Sequence, residues 1–220
     1  MAKIICISAQ KPSSKQSLFA AYLAIVLSEH NKTALVNCAL KTRLLETFIA
    51  KRFHFNLKYR QNLPVPTYTT YKKEIFNDFD FLVIDTVNTT LMSEADIVIN
   101  LVENTKIFED LTNQQSSLLT AVWEAKKARA ATGKNAFSHI VIPFSCLSDQ
   151  ALLELRKASS FKGFCVSPVF KESDIFEQSL ENGVTVLDKN IDFFKKDFSE
   201  EDFFARRNLK QIFEFILSEK

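Results

Sequence analysis

Three short stretches near the start of the chain decide its fold. Residues 4–8 read Ile-Ile-Cys-Ile-Ser, residues 9–14 read Ala-Gln-Lys-Pro-Ser-Ser, and residues 33–38 read Thr-Ala-Leu-Val-Asn-Cys. The first and third are apolar runs that favour strands, while the second has turn chemistry and serines that can cap a helix. Residues 15–29, which follow the turn, carry apolar side chains at helical spacing. A strand, loop, helix and strand within about 35 residues are typical of a parallel crossover unit.

The same alternation continues along the rest of the chain. Further strands are predicted near 80–85, 96–102, 139–143 and 164–167, and further helices near 42–55, 107–131, 148–159, 172–181 and 200–218. The stretch 56–72 carries Pro64 and Pro66 and is predicted to lack regular structure. Apolar strands bounded by polar loops favour an α/β fold with a doubly wound, mainly parallel sheet, which we expect to form a single domain over residues 1–220.

The composition is that of an ordinary globular protein. Of 220 residues, 46% are apolar and 25% are charged, and 28 basic against 26 acidic residues give a net charge of +2. No apolar run approaches the roughly 18 residues of a membrane span, and the N-terminal run is too short for a signal peptide, so we expect a cytoplasmic protein. The four cysteines lie in apolar stretches without a CxxC pair, which favours buried, reduced thiols over disulfides or a zinc site: Cys6, Cys38, Cys146 and Cys165.

Glycine is unusually scarce. The chain has three glycines where average usage would give about 15, and none precedes Gly133. A glycine-rich phosphate loop in the first half of the chain is therefore excluded as a literal match.

Polar residues follow three of the predicted strands. They are residues 10–17 before the first helix, residues 37–39, and residues 85–88, which begin with Asp85. Because ligands of open α/β sheets bind beyond the carboxyl ends of the strands, these three segments are the candidate site.

In this order of elements the chain resembles the ParA/MinD family of P-loop ATPases. An ungapped overlay on the family's KGGVGKTT loop places Lys11 on its first lysine, Gln16 on its phosphate-binding lysine and Ser17 on its magnesium-binding hydroxyl. Residues 81–86 resemble the family's Walker B strand. The resemblance implies the fold of the P-loop NTPases.

Two later segments resemble the MipZ-type division-plane regulators within that family. They are residues 121–129, Ala-Val-Trp-Glu-Ala-Lys-Lys-Ala-Arg, and residues 167–188, which begin Ser-Pro-Val-Phe-Lys-Glu. The whole resemblance covers roughly residues 3–190.

The resemblance implies a nucleotide site with ATP and Mg²⁺ as its cofactors. A residual phosphate site at a helix N-terminus would consist of Lys11, Ser13, Ser14, Lys15, Gln16 and Ser17. Asp85 and Ser17 would hold the metal. The alternatives are a solvated turn for the loop and a capping role for Asp85.

Four departures from the family pattern affect this site. The loop has no glycine to let its backbone N–H groups face an anion, and Pro12 has no N–H at all. Gln16 lacks the charge of the phosphate-binding lysine, and Ala39 stands where the family has the aspartate that helps to position water. We therefore expect a degraded ATPase site that has lost hydrolysis.

Three functions remain open. The first is DNA segregation or division-site placement by a protein that binds partition or division proteins. The second is an active ATPase with an atypical phosphate loop, working as a nucleotide-dependent homodimer in which Lys11 reaches the other subunit. The third is a module that docks on a membrane or a partner through an amphipathic C-terminal helix.

Basic and apolar clusters suggest where such partners could bind. Nonspecific DNA contact is one interpretation of two basic clusters, and an ordinary solvated helix face is the other: Lys41, Arg43, Lys51, Arg52 and Lys58, and then Lys126, Lys127, Arg129 and Lys134. The last helix combines Arg206, Arg207 and Lys210 with a wide apolar face formed by Phe203, Phe204, Leu209, Ile212, Phe213 and Ile216. We expect that face to pack on the sheet, so membrane contact is not expected.

Overall fold

A computed structural model describes residues 2–8, 13–38, 43–112, 116–188 and 199–218. Within these ranges the strands form one seven-stranded sheet in which all neighbouring strands are parallel. The strands are β1 (Lys3–Ser8), β2 (Thr33–Asn37), β3 (Thr67–Thr69), β4 (Phe81–Thr86), β5 (Ile97–Val102), β6 (Ser138–Pro143) and β7 (Cys165–Val166). The α/β class and the parallel sheet predicted from sequence are confirmed.

Helices cover both faces of this sheet. They are α1 (Ser14–Ser28), α2 (Leu44–Tyr59), α3 (Thr105–Thr112), α4 (Ser117–Ala131), α5 (Asp149–Lys162), α6 (Ile175–Glu181) and α7 (Glu200–Ser218), with 3₁₀ turns at Lys73–Asn77 and Thr89–Glu94. Ile5 and Ile7 of β1 join the core cluster that contains α1 and α7, while Ile4 and Cys6 join the cluster under α4. This alternation is the pattern of a strand buried on both faces.

The strand order places one end of β1 at the centre of the molecule. The order is β3-β2-β4-β1-β5-β6-β7, so the chain builds one side of β1 before it crosses to the other. Ser8, the last residue of β1, lies beside Thr86 of β4 and Asn100 of β5. A reversal of this kind leaves a crevice beyond the carboxyl ends of the strands, which is where α1 begins.

Several boundaries differ from the prediction. The predicted helix over 107–131 is two helices, because Ser116 caps a new helix at Leu119 N–H and the Asp110 carboxylate accepts from the N–H groups of Ser117 and Leu118. The prediction that residues 56–72 lack regular structure was wrong, since α2 runs to Tyr59 and residues 67–69 add an edge strand.

The cysteines differ from the prediction as well. Cys6 is buried and Cys38 is half-buried, but Cys146 and Cys165 are exposed, so their interpretation as buried thiols was wrong. Cys146 lies in the turn after β6, and Cys165 begins the short edge strand β7.

The C-terminal helix packs on the sheet, as predicted. Leu209, Ile212, Phe213 and Ile216 are buried in the core beside α1. Phe203 and Phe204, expected on the same apolar face, are instead exposed over 55% and 61% of their surface. In the part of the chain that the structure describes, no helix combines the length and apolar character that spanning a bilayer requires.

Candidate functional site

Ser13 fixes the start of α1 against the end of β5. Its backbone is extended and its Oγ accepts the Gln16 backbone N–H at 3.3 Å, which makes it the N-cap of the helix. The same hydroxyl donates to the Glu103 carboxylate, whose two oxygens both lie 2.8 Å away. A carboxylate therefore stands at the positive end of α1, the position that favours an anion. Ser14, the next residue, is exposed.

Gln16 is turned towards the sheet. Its side chain is almost fully buried, and its Nε2 lies 2.9 Å from the Ile7 carbonyl oxygen, 2.6 Å from Asp85 Oδ1 and 2.9 Å from the Thr86 carbonyl oxygen. Its Oε1 is buried without a hydrogen-bond partner in the structure. Three acceptors around one nitrogen hold this side chain between the ends of β1 and β4.

Ser17 and Asp85 complete the buried group. Ser17 Oγ donates to Asp85 Oδ2 at 2.6 Å, so a side-chain donor from α1 meets each oxygen of this carboxylate. Burial raises the pKa of Asp85 to about 6, and the hydrogen bonds from Ser17 and Gln16 oppose that rise. Gln16, Ser17 and Asp85, which the sequence assigned to one candidate site, are in contact in the structure.

Lys15 already has a counter-ion. Its ammonium pairs with the Glu172 carboxylate and lies 5.3 Å from the centre of the Phe144 ring. Burial lowers the pKa of Lys15, but the Glu172 carboxylate outweighs it and the pKa is raised. Burial raises the pKa of Glu103, and the nearby charge of Glu172 raises it further.

Glu103 and Glu172 are site residues that the sequence prediction missed. Glu103 directly follows β5, so the same rule of strand ends could have found it. Glu172 comes from the loop before α6, and no local signal connects it with Lys15. Lys11, Pro12 and Ala39, which the sequence prediction included, lie outside the described residues.

Two of the predicted surface cations are buried. Arg52 has no exposed surface and makes a bidentate pair with Asp188 at 2.6 and 2.7 Å. Arg129 is 6% exposed and donates to Asp96 Oδ1 at 2.6 Å. Their assignment to a basic face was therefore wrong. Exposed cations remain at Arg43, Lys51 and Lys58. Lys127 is exposed and pairs with Glu124 at 3.6 Å, Lys134 pairs with Glu94, and Lys41 lies outside the described residues.

The residues at this site do not form a metal-binding cluster by themselves. Among the described residues, no group of three histidine, cysteine, aspartate or glutamate side chains could hold a metal ion. What the site does form is a closed polar network at the start of α1, with Gln16 and Ser17 on Asp85 and with Lys15 on Glu172.

Solved structures share this fold over nearly the whole chain. Apo McdA from Cyanothece has a TM-score of 0.61 and 14% identity, covering 99% of this chain and 98% of that one. The MinD cell division protein of Aquifex aeolicus has a TM-score of 0.59 and 12% identity, covering 100% and 98%. A putative plasmid partition protein of Borrelia burgdorferi, bound to AMPPNP, has a TM-score of 0.53 and 15% identity, covering 98% and 99%.

No family model matches the sequence, and no curated protein matches it. The likeness to solved structures is one of fold, because the identities are 12–15%.

Proposed function

We propose that this chain, which has the fold of the ParA/MinD P-loop ATPases, is a positioning protein of DNA segregation or division-site placement with a degraded ATPase site. The observation that carries the proposal is the position of Gln16. The sequence overlay aligns it with the family's phosphate-binding lysine, and its side chain is buried and donates to Asp85. Such a protein would act by binding its partners.

The charges around α1 support the loss of phosphoryl transfer. That reaction needs neutralisation of the negative charge on the transferred phosphoryl group. Here Gln16 is neutral, Lys15 is paired with Glu172, and Glu103 adds a second carboxylate at the helix start. A polyphosphate entering this site would meet two carboxylates and no unpaired cation among the described residues.

The residues present do not fit an ATP–Mg²⁺ complex. Ser17 and Asp85 would have to hold the metal, but each oxygen of Asp85 already accepts a hydrogen bond from α1. The phosphate loop would have to curl around an anion without a glycine in residues 9–17. The site therefore lacks both the metal ligands and the phosphate loop that ATP hydrolysis requires.

Partners come into the proposal from the proteins that share the fold. Those proteins include a MinC:MinD cell division complex and plasmid partition proteins. We propose that this chain likewise binds a partition or division protein and associates with copies of itself. The resemblance of residues 121–129 and 167–188 to MipZ-type proteins favours a division-plane role.

We also propose nonspecific DNA contact, but with fewer basic residues than the sequence suggested. Arg52 and Arg129 are buried, so the DNA-contact residue on the second basic cluster is the exposed Lys127. Reversing its charge with Lys127→Glu should weaken binding to DNA of any sequence and make binding less dependent on salt. Unchanged binding at low salt would remove α4 from the proposal.

An active ATPase is the second candidate, and one observation favours it. Ser17 and Asp85 lie together as the magnesium-binding hydroxyl and the Walker B carboxylate would. Calorimetric titration with ATP, with and without Mg²⁺, separates the two candidates. The degraded site predicts no saturable binding up to about 1 mM nucleotide. Mg²⁺-dependent saturation that Ser17→Ala abolishes would favour the ATPase instead.

A further inference from the structure

The first three turns of α7 carry acidic, aromatic and basic residues in that order along the helix. They are Glu200, Glu201 and Asp202, then Phe203 and Phe204, then Arg206, Arg207 and Lys210. Phe204 is 61% exposed, and Glu201, Arg207 and Lys210 are exposed as well. The start of α7 therefore presents two blocks of opposite charge to solvent, with aromatic side chains between them.

Two depressions in the surface show how these charges lie around Phe204. One has a volume of about 380 Å³ and is lined by the two phenylalanines and the three cations. The other has a volume of about 870 Å³, and its lining joins Phe204 to four carboxylates: Glu172, Asp174, Glu201 and Asp202. Lys171 is the cation of that lining. Because Phe204 lines both depressions, a basic surface and an acidic surface meet at this side chain.

The cations of α7 are not neutralised by the carboxylates that precede them. Asp202 lies four residues before Arg206, the spacing at which opposite charges pair on a helix. Its carboxylate instead accepts from Ser173 Oγ at 2.7 Å and from Ser199 Oγ at 2.8 Å, and Arg206 Nε is buried without an acceptor in the structure. Among the described residues, no carboxylate pairs with any of the three cations. The helix dipole accounts for the carboxylates in the first turn but not for the cations that follow.

The start of α7 is fixed in place from behind. Ile212 and Phe213 are buried in the core beside α1. Asn208 donates through Nδ2 to the Val169 carbonyl oxygen at 2.8 Å, and its Oδ1 accepts the Lys171 backbone N–H at 2.9 Å. Contacts made by a preorganised surface lose less entropy on binding. The exposed side chains of this surface, Asp174, Glu201, Phe204, Arg207 and Lys210, are called the α7 patch below.

The α7 patch is complementary to itself. A half-turn about an axis near Phe204 brings the acidic side of one copy onto the basic side of a second copy, and the reverse. We infer that two copies of this chain dimerise through their α7 patches, with the starts of the two α7 helices antiparallel and Phe204 of each copy near the axis. A two-fold contact uses the same patch on both copies, which this arrangement of charges satisfies. The contact gives the self-association in the proposed function a surface, but it does not rest on the state of the ATPase site.

Other occupants meet only half of the α7 patch. DNA or an anionic membrane would be attracted to Arg207 and Lys210 but repelled by the carboxylates on the other side of Phe204. A basic partner would meet the opposite conflict. A second copy supplies both charges at once, and complementary potentials across an interface also suppress wrong partners.

Two double variants test the contact in sedimentation velocity without nucleotide. Asp174→Lys/Glu201→Lys reverses the acidic side of the α7 patch, whereas Arg207→Glu/Lys210→Glu reverses its basic side. All four side chains are exposed, so both variants should fold, which circular dichroism verifies.

Matched controls carry the same changes in net charge at other exposed positions. Glu74→Lys/Glu109→Lys is the control for the variant with a reversed acidic side. Lys106→Glu/Lys157→Glu is the control for the variant with a reversed basic side.

A two-fold contact predicts a specific pattern. Wild type and both controls should approach twice the 25.2 kDa of one chain as the concentration rises to about 100 µM, and should not exceed it. Each double variant places like charges across the axis and should stay at the mass of one chain. Their equimolar mixture should reach twice that mass, because each copy then meets opposite charges. Phe204→Ser should weaken the association of wild type by at least about fivefold in Kd.

Four results would overturn the inference. The first two are a wild-type chain that is monomeric at every concentration and association that both double variants retain. A mass that rises beyond two chains is the third, because a two-fold contact closes at two copies. The fourth is a monomeric wild type that binds DNA or phosphatidylserine vesicles through Arg207 and Lys210, which would assign the basic side to that ligand. Phosphate release is measured separately, so none of these results bears on the loss of hydrolysis.

Discussion

The side-chain nitrogen of Gln16 lies 2.6 Å from Oδ1 of Asp85, so the residue that the sequence overlay aligns with a phosphate-binding lysine contacts the one that the overlay assigns to a Walker B strand. Both side chains are buried, and the Ile7 and Thr86 carbonyl oxygens complete the set of acceptors around that nitrogen. The start of α1 is thereby fastened to the ends of β1 and β4 without any ligand.

Introducing a lysine at position 16 should not produce ATP hydrolysis. In Gln16→Lys the ammonium can donate three hydrogen bonds, and three oxygens already surround this position, one of them the Asp85 carboxylate. We expect the new lysine to stay paired with Asp85, so that phosphate release with ATP and Mg²⁺ remains at background. Gln16→Met, which has no donor, is the control. Turnover gained by Gln16→Lys alone would contradict the prediction.

The buried Asp85 should make stability depend on pH. Burial raises its pKa in the folded state to about 6, so the folded protein holds this proton more tightly than the unfolded chain does. Its contribution to stability is therefore greatest at low pH and falls as the pH rises through about 4 to 6. From pH 5 to pH 7 the loss should be about 1 kcal/mol, since one pKa unit corresponds to about 1.4 kcal/mol.

Urea unfolding of wild type and Asp85→Asn at both pH values measures this loss. The variant should lack that part of the pH dependence, while the exposed Asp78→Asn should keep it. An unchanged pH dependence in Asp85→Asn would show that this carboxyl does not titrate there.

Arg52 should be a stability residue and not a DNA-contact residue. Arg52→Met leaves the Asp188 carboxylate buried without its partner, which costs about 3–5 kcal/mol in comparable sites. Because Asp188→Asn removes the stranded charge, the double variant should be more stable than Arg52→Met alone. Urea unfolding gives all three values. A cost under about 1 kcal/mol for Arg52→Met would contradict this role.

Two glycines with similar backbone angles should respond differently to alanine. Gly133 and Gly183 have φ of +74° and +76°, but a Cβ at Gly133 meets nothing within 4 Å, whereas at Gly183 it meets the backbone of α2 at 2.5–2.6 Å. Gly133→Ala should cost about 1–2 kcal/mol, the strain of a left-handed backbone. Gly183→Ala should cost at least about 2 kcal/mol more. Equal unfolding free energies in urea would mean that the backbone of α2 shifts at little cost to accommodate the added methyl group.

The fold was predictable because its central strands are apolar on both faces. Residues 97–102 are apolar except for Asn100 and are bounded by Asp96 and Glu103. The observed strand spans the same residues. The edge strand Thr67–Thr69 was not predictable in this way, because it is three residues long, partly exposed and preceded by a proline. Helical spacing likewise runs across residues 107–131 and hides the new start that Ser116 makes.

The site was partly predictable for a similar reason. Strand ends in a parallel sheet meet at one edge, which brings Asp85 to Gln16 and Ser17. Pairing between distant charges has no local signal. Glu172 comes to Lys15 from a loop far along the chain, and Arg52 finds Asp188 across 136 residues, so a buried cation could not be told from its exposed lysine neighbours.

The central claim is that the site does not hydrolyse ATP, and phosphate release by the pure protein tests it most directly. Wild type is compared with the Lys11→Ala/Asp85→Ala double variant, in ATP with Mg²⁺ and in ATP with a chelator. Neutral Gln16, the paired Lys15 and the loop without glycine predict equal, background release in all four samples. Magnesium-dependent turnover by wild type that the double variant abolishes would contradict the account.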